Sequence, residues 1–174
     1  MSLHGLVLTN LRTFFEQRGL LGAGDGSTFD ADTVYADEDF GALVLAAAER
    51  AGVEETALLR EFGRYLGTVA FPELMPGFYE RNEDLRSCLL SVEQEIHTLV
   101  RRVLPGAAPP RLRASPLGTT GVVIAYTSER RLCPLLEGLV EGTAEKYETP
   151  ITITQPQCML RGEPACSVVV QPLA

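Results

Sequence analysis

Residues 121–130 read Gly121-Val122-Val123-Ile124-Ala125-Tyr126-Thr127-Ser128-Glu129-Arg130, and here the period of the chain changes. Val122 to Tyr126 is β-branched and aromatic, the composition of a strand on a half-buried pleated surface. Downstream, Ile151 to Thr154 alternates and Ser167 to Gln171 is valine-rich, so three strands of an antiparallel sheet are expected. Between the first two strands a helix is predicted from Pro134 to about Tyr147. Pro134 suits its first turn, and Gly138 and Gly142, one turn apart, would let it approach a sheet or a flat ligand closely.

Upstream of Gly121 the spacing is helical. Leu6, Val7, Leu11, Phe14 and Phe15 share one helix face, and Gly19, Gly22, Gly24 and Gly26 end that segment in a loop. Asp37 is placed to cap a second helix that runs to about Arg50 and gathers Phe40, Leu43, Val44 and Ala47 on one side. A third helix starts at Glu54 and carries Leu58, Leu59, Phe62 and Leu66. A longer one begins near Asp84 and stops before Pro105-Gly106. Along it Leu85, Leu89, Val92, Ile96, Leu99 and Val103 step by fours and threes, which predicts one continuous core-facing stripe. His97 falls on a flank of that stripe, with Leu90, Val100 and Leu104. The fold class expected is α+β in a single domain. Its helical part spans about 1–65, and about 66–174 holds the His97 helix and a small antiparallel sheet with a packed helix.

Composition narrows the function. The chain has 174 residues, 45% of them apolar, and 15 Lys+Arg against 23 Asp+Glu give a net charge of −8. A nucleic-acid binder needs a clustered basic face to neutralise phosphates, and none is visible. Lys146 is the only lysine and lies in a polar helical stretch, which argues against Schiff-base chemistry. The N-terminus has no basic region ahead of its apolar residues, and the Ala42 to Ala48 run is far short of the ~20 residues needed to span a bilayer. A cytoplasmic location is therefore expected, where Cys88, Cys133, Cys158 and Cys166 would stay reduced.

Three constellations could carry chemistry. A helical histidine flanked by leucines is most often a packed, half-buried side chain, yet a neutral imidazole on a rigid apolar helix is also the usual ligand for heme iron. His97 fits that role better than His4, which sits near a terminus expected to fray. Tyr126, Ser128 and Arg130 alternate along a strand, so two hydroxyls and a guanidinium converge on one spot suited to carboxylates. Alone, they also describe a solvated sheet face. Cys158 and Cys166 flank the turn Arg161-Gly162-Glu163-Pro164 and could face each other across a hairpin, while Cys133 precedes a helix. Cys88, on the His97 helix, reads as an ordinary buried thiol.

Taken together, His97, the Tyr126-x-Ser128-x-Arg130 strand and the intervening Pro109-Pro110 resemble the H-NOX family of heme nitric oxide/oxygen binding domains, in its bacterial stand-alone form. The resemblance extends over Gly5-Leu6-Val7, Glu61-Phe62-Gly63-Arg64-Tyr65, Leu104-Pro105-Gly106 and Arg131-Leu132-Cys133-Pro134-Leu135. It implies a heme b with His97 on the iron, propionates held by Tyr126, Ser128 and Arg130, and Pro110 packed against the porphyrin. The helices of 1–65 would then be distal and the remainder proximal. It implies a gas sensor rather than an enzyme: nitric oxide would weaken the bond to His97 and shift the two parts of the domain. A histidine kinase, a diguanylate cyclase or a similar signalling protein would read that change.

Some relatives hold zinc with three cysteines and a histidine; the matching residues are Cys133, Cys158 and Cys166, but the histidine's place is taken by Gln155, a poor ligand. Zinc at the thiols and a reversible Cys158–Cys166 disulfide both stay open. In relatives that keep dioxygen a tyrosine supplies a distal hydrogen bond, and the matching position is Leu135, with Leu136 and Leu139 nearby. Binding of NO and CO without a stable dioxygen complex is expected. Two other classes compete. A peroxidase-like heme enzyme would need a distal acid/base that the sequence does not supply. A heme-free zinc or thiol redox sensor would use Cys133, Cys158 and Cys166.

Overall fold

The four-stranded antiparallel sheet has the order β3-β4-β6-β5, formed by β3 (Arg111–Leu117), β4 (Gly121–Thr127), β5 (Ile151–Gln157) and β6 (Cys166–Pro172). The structure is a computed structural model that describes residues 2–22, 28–103 and 108–173, with the side chains of Ser2 and Leu3 outside the description. Gly24, Gly26 and Leu104-Pro105-Gly106 lie outside the described residues. The three expected strands are β4, β5 and β6; β3 is an addition. Its sequence, Arg-Leu-Arg-Ala-Ser-Pro-Leu, carries charge and a proline that disguise it, and both are tolerated because β3 is an edge strand. Pro156 likewise sits on the other edge, in β5, where the pairing with β6 shifts register between Thr154 and Gln157.

The N-terminal half is helical, with a short ribbon in front. Strand β1 (Ser2–His4) pairs with β2 (Val34–Ala36), His4 opposite Val34. Helices α1 (Gly5–Gln17), α2 (Asp37–Ala51) and α3 (Glu55–Tyr65) bury Leu8, Leu11, Phe14, Phe15, Phe40, Val44, Leu58 and Phe62 in one core. Removing one such phenylalanine side chain typically costs ~3–5 kcal/mol. Asp37 is the first residue of α2 and makes no capping bond; its carboxylate is drawn instead to Arg130. Helix α3 continues into a π-helical stretch, Leu66–Ala70, then α4 (Phe71–Leu74) and α5 (Pro76–Arg81).

The second core packs α6 (Leu85–Val92) and α8 (Cys133–Lys146) on the sheet, burying Leu85, Val122, Ile124, Val140, Val168 and Val170. Helix α8 joins the two cores: Leu136, Val140 and Ala144 belong to the sheet side, while Leu135 and Leu139 pack on the helical side. Gly138 and Gly142 do allow a close approach, but to α3 and not to the sheet or a ligand. A Cβ on Gly138 would collide with the carbonyl oxygen of Arg60, and one on Gly142 with that of Arg64.

The His97 helix departs most from expectation. After α6 the hydrogen bonding changes over Glu93–His97, where the Thr98 N–H reaches the Glu93 carbonyl five residues back, and the chain then resumes as α7 (Thr98–Val103). This π-helical stretch advances the inward face by about one residue. Leu89, Val92, Ile96, His97 and Val100 therefore face the interior. Leu99 and Val103, expected in the core stripe, are 52% and 55% exposed. The expected continuous stripe ends at Ile96.

A cavity between the two cores

Between the two cores lies an apolar cavity of about 300 Å³. The His97 helix forms one wall and α8 contributes Leu135, Leu136 and Leu139 to another; Ala108, Pro109, Pro110 and Leu112 close a third side. Polar groups are few. They include both histidines, Glu93, Tyr79, Thr143 and the trio Tyr126, Ser128 and Arg130.

His97 and His4 both line this cavity, and their hydrogen bonds separate them. His97 Nδ1 lies 3.0 Å from Glu93 Oε2. A carboxylate only accepts, so Nδ1 carries the proton and Nε2 keeps its lone pair for a metal. Burial lowers the imidazole pKa against the pull of Glu93, so the ring is neutral at pH 7, as a ligand must be. His4 has the opposite arrangement. Its Nδ1 accepts from the Leu6 N–H at 3.2 Å, capping α1, which leaves the proton on a buried Nε2 that has no partner among the described residues. His4 is also held by the β1–β2 ribbon, where fraying was expected.

Glu93 was not visible as a site residue in the sequence, although a carboxylate four residues before a helical histidine is a readable signal. Its carboxylate accepts from His97, from the Leu112 N–H at 3.1 Å, and from Arg101. Burial alone would raise its pKa, but these donors prevail and hold it below the usual carboxylate value.

Strand β4 ends at Thr127, so alternation along a strand accounts for Tyr126 alone. Ser128 and Arg130 reach the same rim through the following turn, in which Arg131 adopts a φ of 51° and its N–H bonds to the Ser128 carbonyl. The Tyr126 hydroxyl accepts from the Leu132 N–H at 3.1 Å, which leaves its own proton to donate. Burial pushes its pKa up to about 12, so it stays protonated. Arg130 Nε bonds to Asp37 Oδ1 at 2.8 Å and Nη1 to the Ala108 carbonyl at 2.6 Å. Asp37, unseen as a site residue, thus ties the start of α2 to this rim.

Tyr79 on α5 is a further group the sequence did not point to. Its hydroxyl, pushed up to about 12 by burial, lies in reach of Thr143, so this part of the wall is not wholly apolar.

Cys133, Cys158 and Cys166 are all buried and unpaired, with sulfurs within 4.8 Å of one another. Cys133 and Cys158 are 3.6 Å apart, and the Met159 N–H bonds to Cys166 Sγ at 3.2 Å. Burial pushes Cys133 up to about 12 and raises Cys166, so both are thiols when no cation is near. Among the described residues no fourth His, Cys, Asp or Glu joins the group.

The donor set fits a flat apolar group that carries an iron and carboxylates. One neutral imidazole with a free nitrogen faces apolar walls, and a guanidinium and two hydroxyls stand at the rim. Residues 16–155 match a family model described as Haem-NO-binding. No curated protein sequence matches the chain. Among solved structures, it resembles an H-NOX protein from S. oneidensis in the Fe(II)NO ligation state at 20% identity, covering 99% of this chain and 100% of that one with a TM-score of 0.89. It also resembles the Fe(II) unliganded H-NOX protein from K. algicida at 17% identity, covering 99% and 97% with a TM-score of 0.84. The chain belongs to the haem-NO-binding, or H-NOX, family of heme-based gas-sensor domains.

Proposed function

We propose that this protein binds nitric oxide at a heme b ligated by His97 and signals to a partner protein by a change of conformation. The observation that carries this reading is the apolar cavity into which His97 offers an unprotonated Nε2 while Tyr126, Ser128 and Arg130 stand at its rim. When bound, ferrous heme would supply an iron able to take a diatomic gas. His97 holds the group from its helix. Arg130 would bind propionate with Tyr126 and Ser128 as hydroxyl donors, and Pro110 would line the apolar face. On this reading 1–174 is a single sensor domain, with about 1–65 distal and about 66–174 proximal. Movement of His97 passes through Glu93 to Leu112 on β3 and Arg101 on α7. The exposed α7 presents that movement to a partner such as a histidine kinase or diguanylate cyclase, and the domain binds and relays without catalysing.

Absorption spectra of the ferrous protein with and without NO test this directly. A Soret band that NO shifts is expected, lost or made dependent on added imidazole in His97→Gly and kept in His4→Gly. The reverse pattern would move the ligand to His4. Leu135 lines the cavity and offers no donor, so we expect NO and CO to bind and no stable complex with dioxygen to form. Leu135→Tyr should confer one. A persistent oxy spectrum in the unmodified protein would implicate the buried Nε2–H of His4 or the Tyr79 hydroxyl as the donor, and His4→Leu and Tyr79→Phe would tell the two apart.

The three-cysteine cluster favours a second reading, a zinc or thiol redox sensor that works without heme. Three sulfurs so close suit zinc thiolates, with the fourth position left to water or another group. About one zinc per chain in protein purified without chelator is the expected result. Little metal together with a Cys158–Cys166 disulfide under mild oxidant would favour the redox form. Reduced cysteines and the absence, among the described residues, of a helix long and apolar enough to cross a membrane suit a cytoplasmic protein.

A further inference from the structure

The π-helical stretch Glu93–His97 begins with a carboxylate and ends with the imidazole it holds, and nothing in the rim or the apolar walls explains why a charged side chain is kept at that place. Glu93 is half-buried, and both of its oxygens are engaged. Oε2 takes His97 Nδ1 and the Leu112 N–H, and Oε1 takes Arg101, whose Nη1 also reaches the Pro110 carbonyl at 3.5 Å. Metal-bound histidines usually donate their second N–H to such a partner, which orients the ring and raises its basicity.

We propose that Glu93 is a positioning residue for the iron-ligating histidine: it locks the Nδ1–H form of His97, aims Nε2 into the cavity and lends the ring negative charge, and Arg101 limits how much charge is lent. This rests on His97 being the heme ligand. Glu93 and Arg101 then act in opposition. A carboxylate facing Nδ1–H makes the imidazole a stronger donor, and a guanidinium on the same carboxylate draws charge away from the ring. The strength of the iron–histidine bond is thereby set from outside the cavity. Because Glu93 also binds the Leu112 N–H, the setting is tied to the position of β3.

Two measurements test this. In apo protein labelled with ¹⁵N-histidine, His97 should be protonated at Nδ1 and should move to the Nε2–H form in Glu93→Leu. In the ferrous heme-loaded protein, the iron–histidine stretching band should fall in Glu93→Gln, rise in Arg101→Gln, and stay near the parent value in Arg101→Lys. Heme affinity in Glu93→Leu should drop on the order of tenfold or more. A role in folding alone would shift both Gln variants the same way or neither, and either result overturns the proposal, as does an Nε2–H tautomer in the parent. Should Glu93→Leu fail to fold, the isosteric Glu93→Gln and the two Arg101 variants still decide. A parent protein with no iron–histidine band would instead overturn the assignment of His97, while the apo tautomer would still report on Glu93.

Discussion

Helix α8 lies against α3 so closely that glycines are required at the crossing, whereas the helix bearing His97 leaves every residue from Glu93 to Val103 half-buried or exposed. Both line the same cavity. On the first wall Gly138 and Gly142 meet the backbone of α3 at Arg60 and Arg64, and Gly63 and Gly67 meet α8 in return. Arg60 bridges Glu137 at 3.3 Å and also pairs with Glu141, and Arg64 pairs with Glu145 at 2.6 Å, which holds the register of the two helices from the solvent side. These exposed pairs contribute little each; the backbone contact supplies the rigidity. On the second wall the π-helical stretch has traded core contacts for cavity contacts, leaving Leu99 and Val103 in solvent. The first wall is clamped backbone to backbone, and the second is held by the side-chain bonds of Glu93 to Leu112 and Arg101. A sensor needs that asymmetry, because a ligand can bias only an element that has a second accessible position.

The comparison can be broken most severely at the fixed wall. Gly138→Leu would force α8 off α3 and should destabilise the protein by about 3 kcal/mol or more, read from denaturant unfolding. A loss below 1 kcal/mol would mean that the two helices are not as close as described. Next comes the rim that joins the two halves. Arg130→Ala removes the bond to Asp37 and the guanidinium proposed to hold propionate, and should weaken heme retention by ~1.5–3 kcal/mol, more than Tyr126→Phe. Equal retention in Arg130→Ala and the parent would remove Arg130 from the site.

The wall that bears His97 should respond less. Asp84 caps α6 through the Ser87 N–H at 2.6 Å, and Asp84→Ala should cost ~1 kcal/mol. The Ser87 hydrogen bonds hold the Asp84 pKa below its ordinary 3.8. Its contribution is therefore complete above that ordinary value and fades as pH falls through the lowered one, so the parent and Asp84→Ala should converge in stability in acid and diverge toward neutral pH. Smallest of all, Leu99→Asp and Val103→Asp should each stay within about 0.5 kcal/mol of the parent. A large loss at either would show that the outer face of α7 is packed in solution.

Several elements could be read from residue order. The strand at Val122–Tyr126, the helix beginning at Pro134 and the leucines and phenylalanines of the N-terminal helices follow from local period and composition, which depend on near neighbours alone. The sequence singles out His97, Tyr126, Ser128, Arg130, Pro110 and Leu135, and the structure gathers all six around one cavity. Strand β3 was missed because a proline and two arginines argue against a strand unless its place at the sheet edge is known. The π-helical stretch was missed because a strict 3.6-residue period cannot register an inserted residue.

What the sequence by itself determined is the set of elements and the chemical types at the site, since propensity, capping and side-chain chemistry reside in the chain's local order. What only the tertiary structure decided is which groups meet. Asp37 left its expected cap for Arg130, 93 residues away, because a charge near a buried guanidinium is held more firmly than one at a solvated helix end. Gly138 and Gly142 face α3 because two apolar cores had to be joined by one helix. The difference between the two histidines is of the same kind. It depends on which ring nitrogen is already engaged, by Glu93 in one case and by the Leu6 N–H in the other, and sequence carries no record of a tautomer.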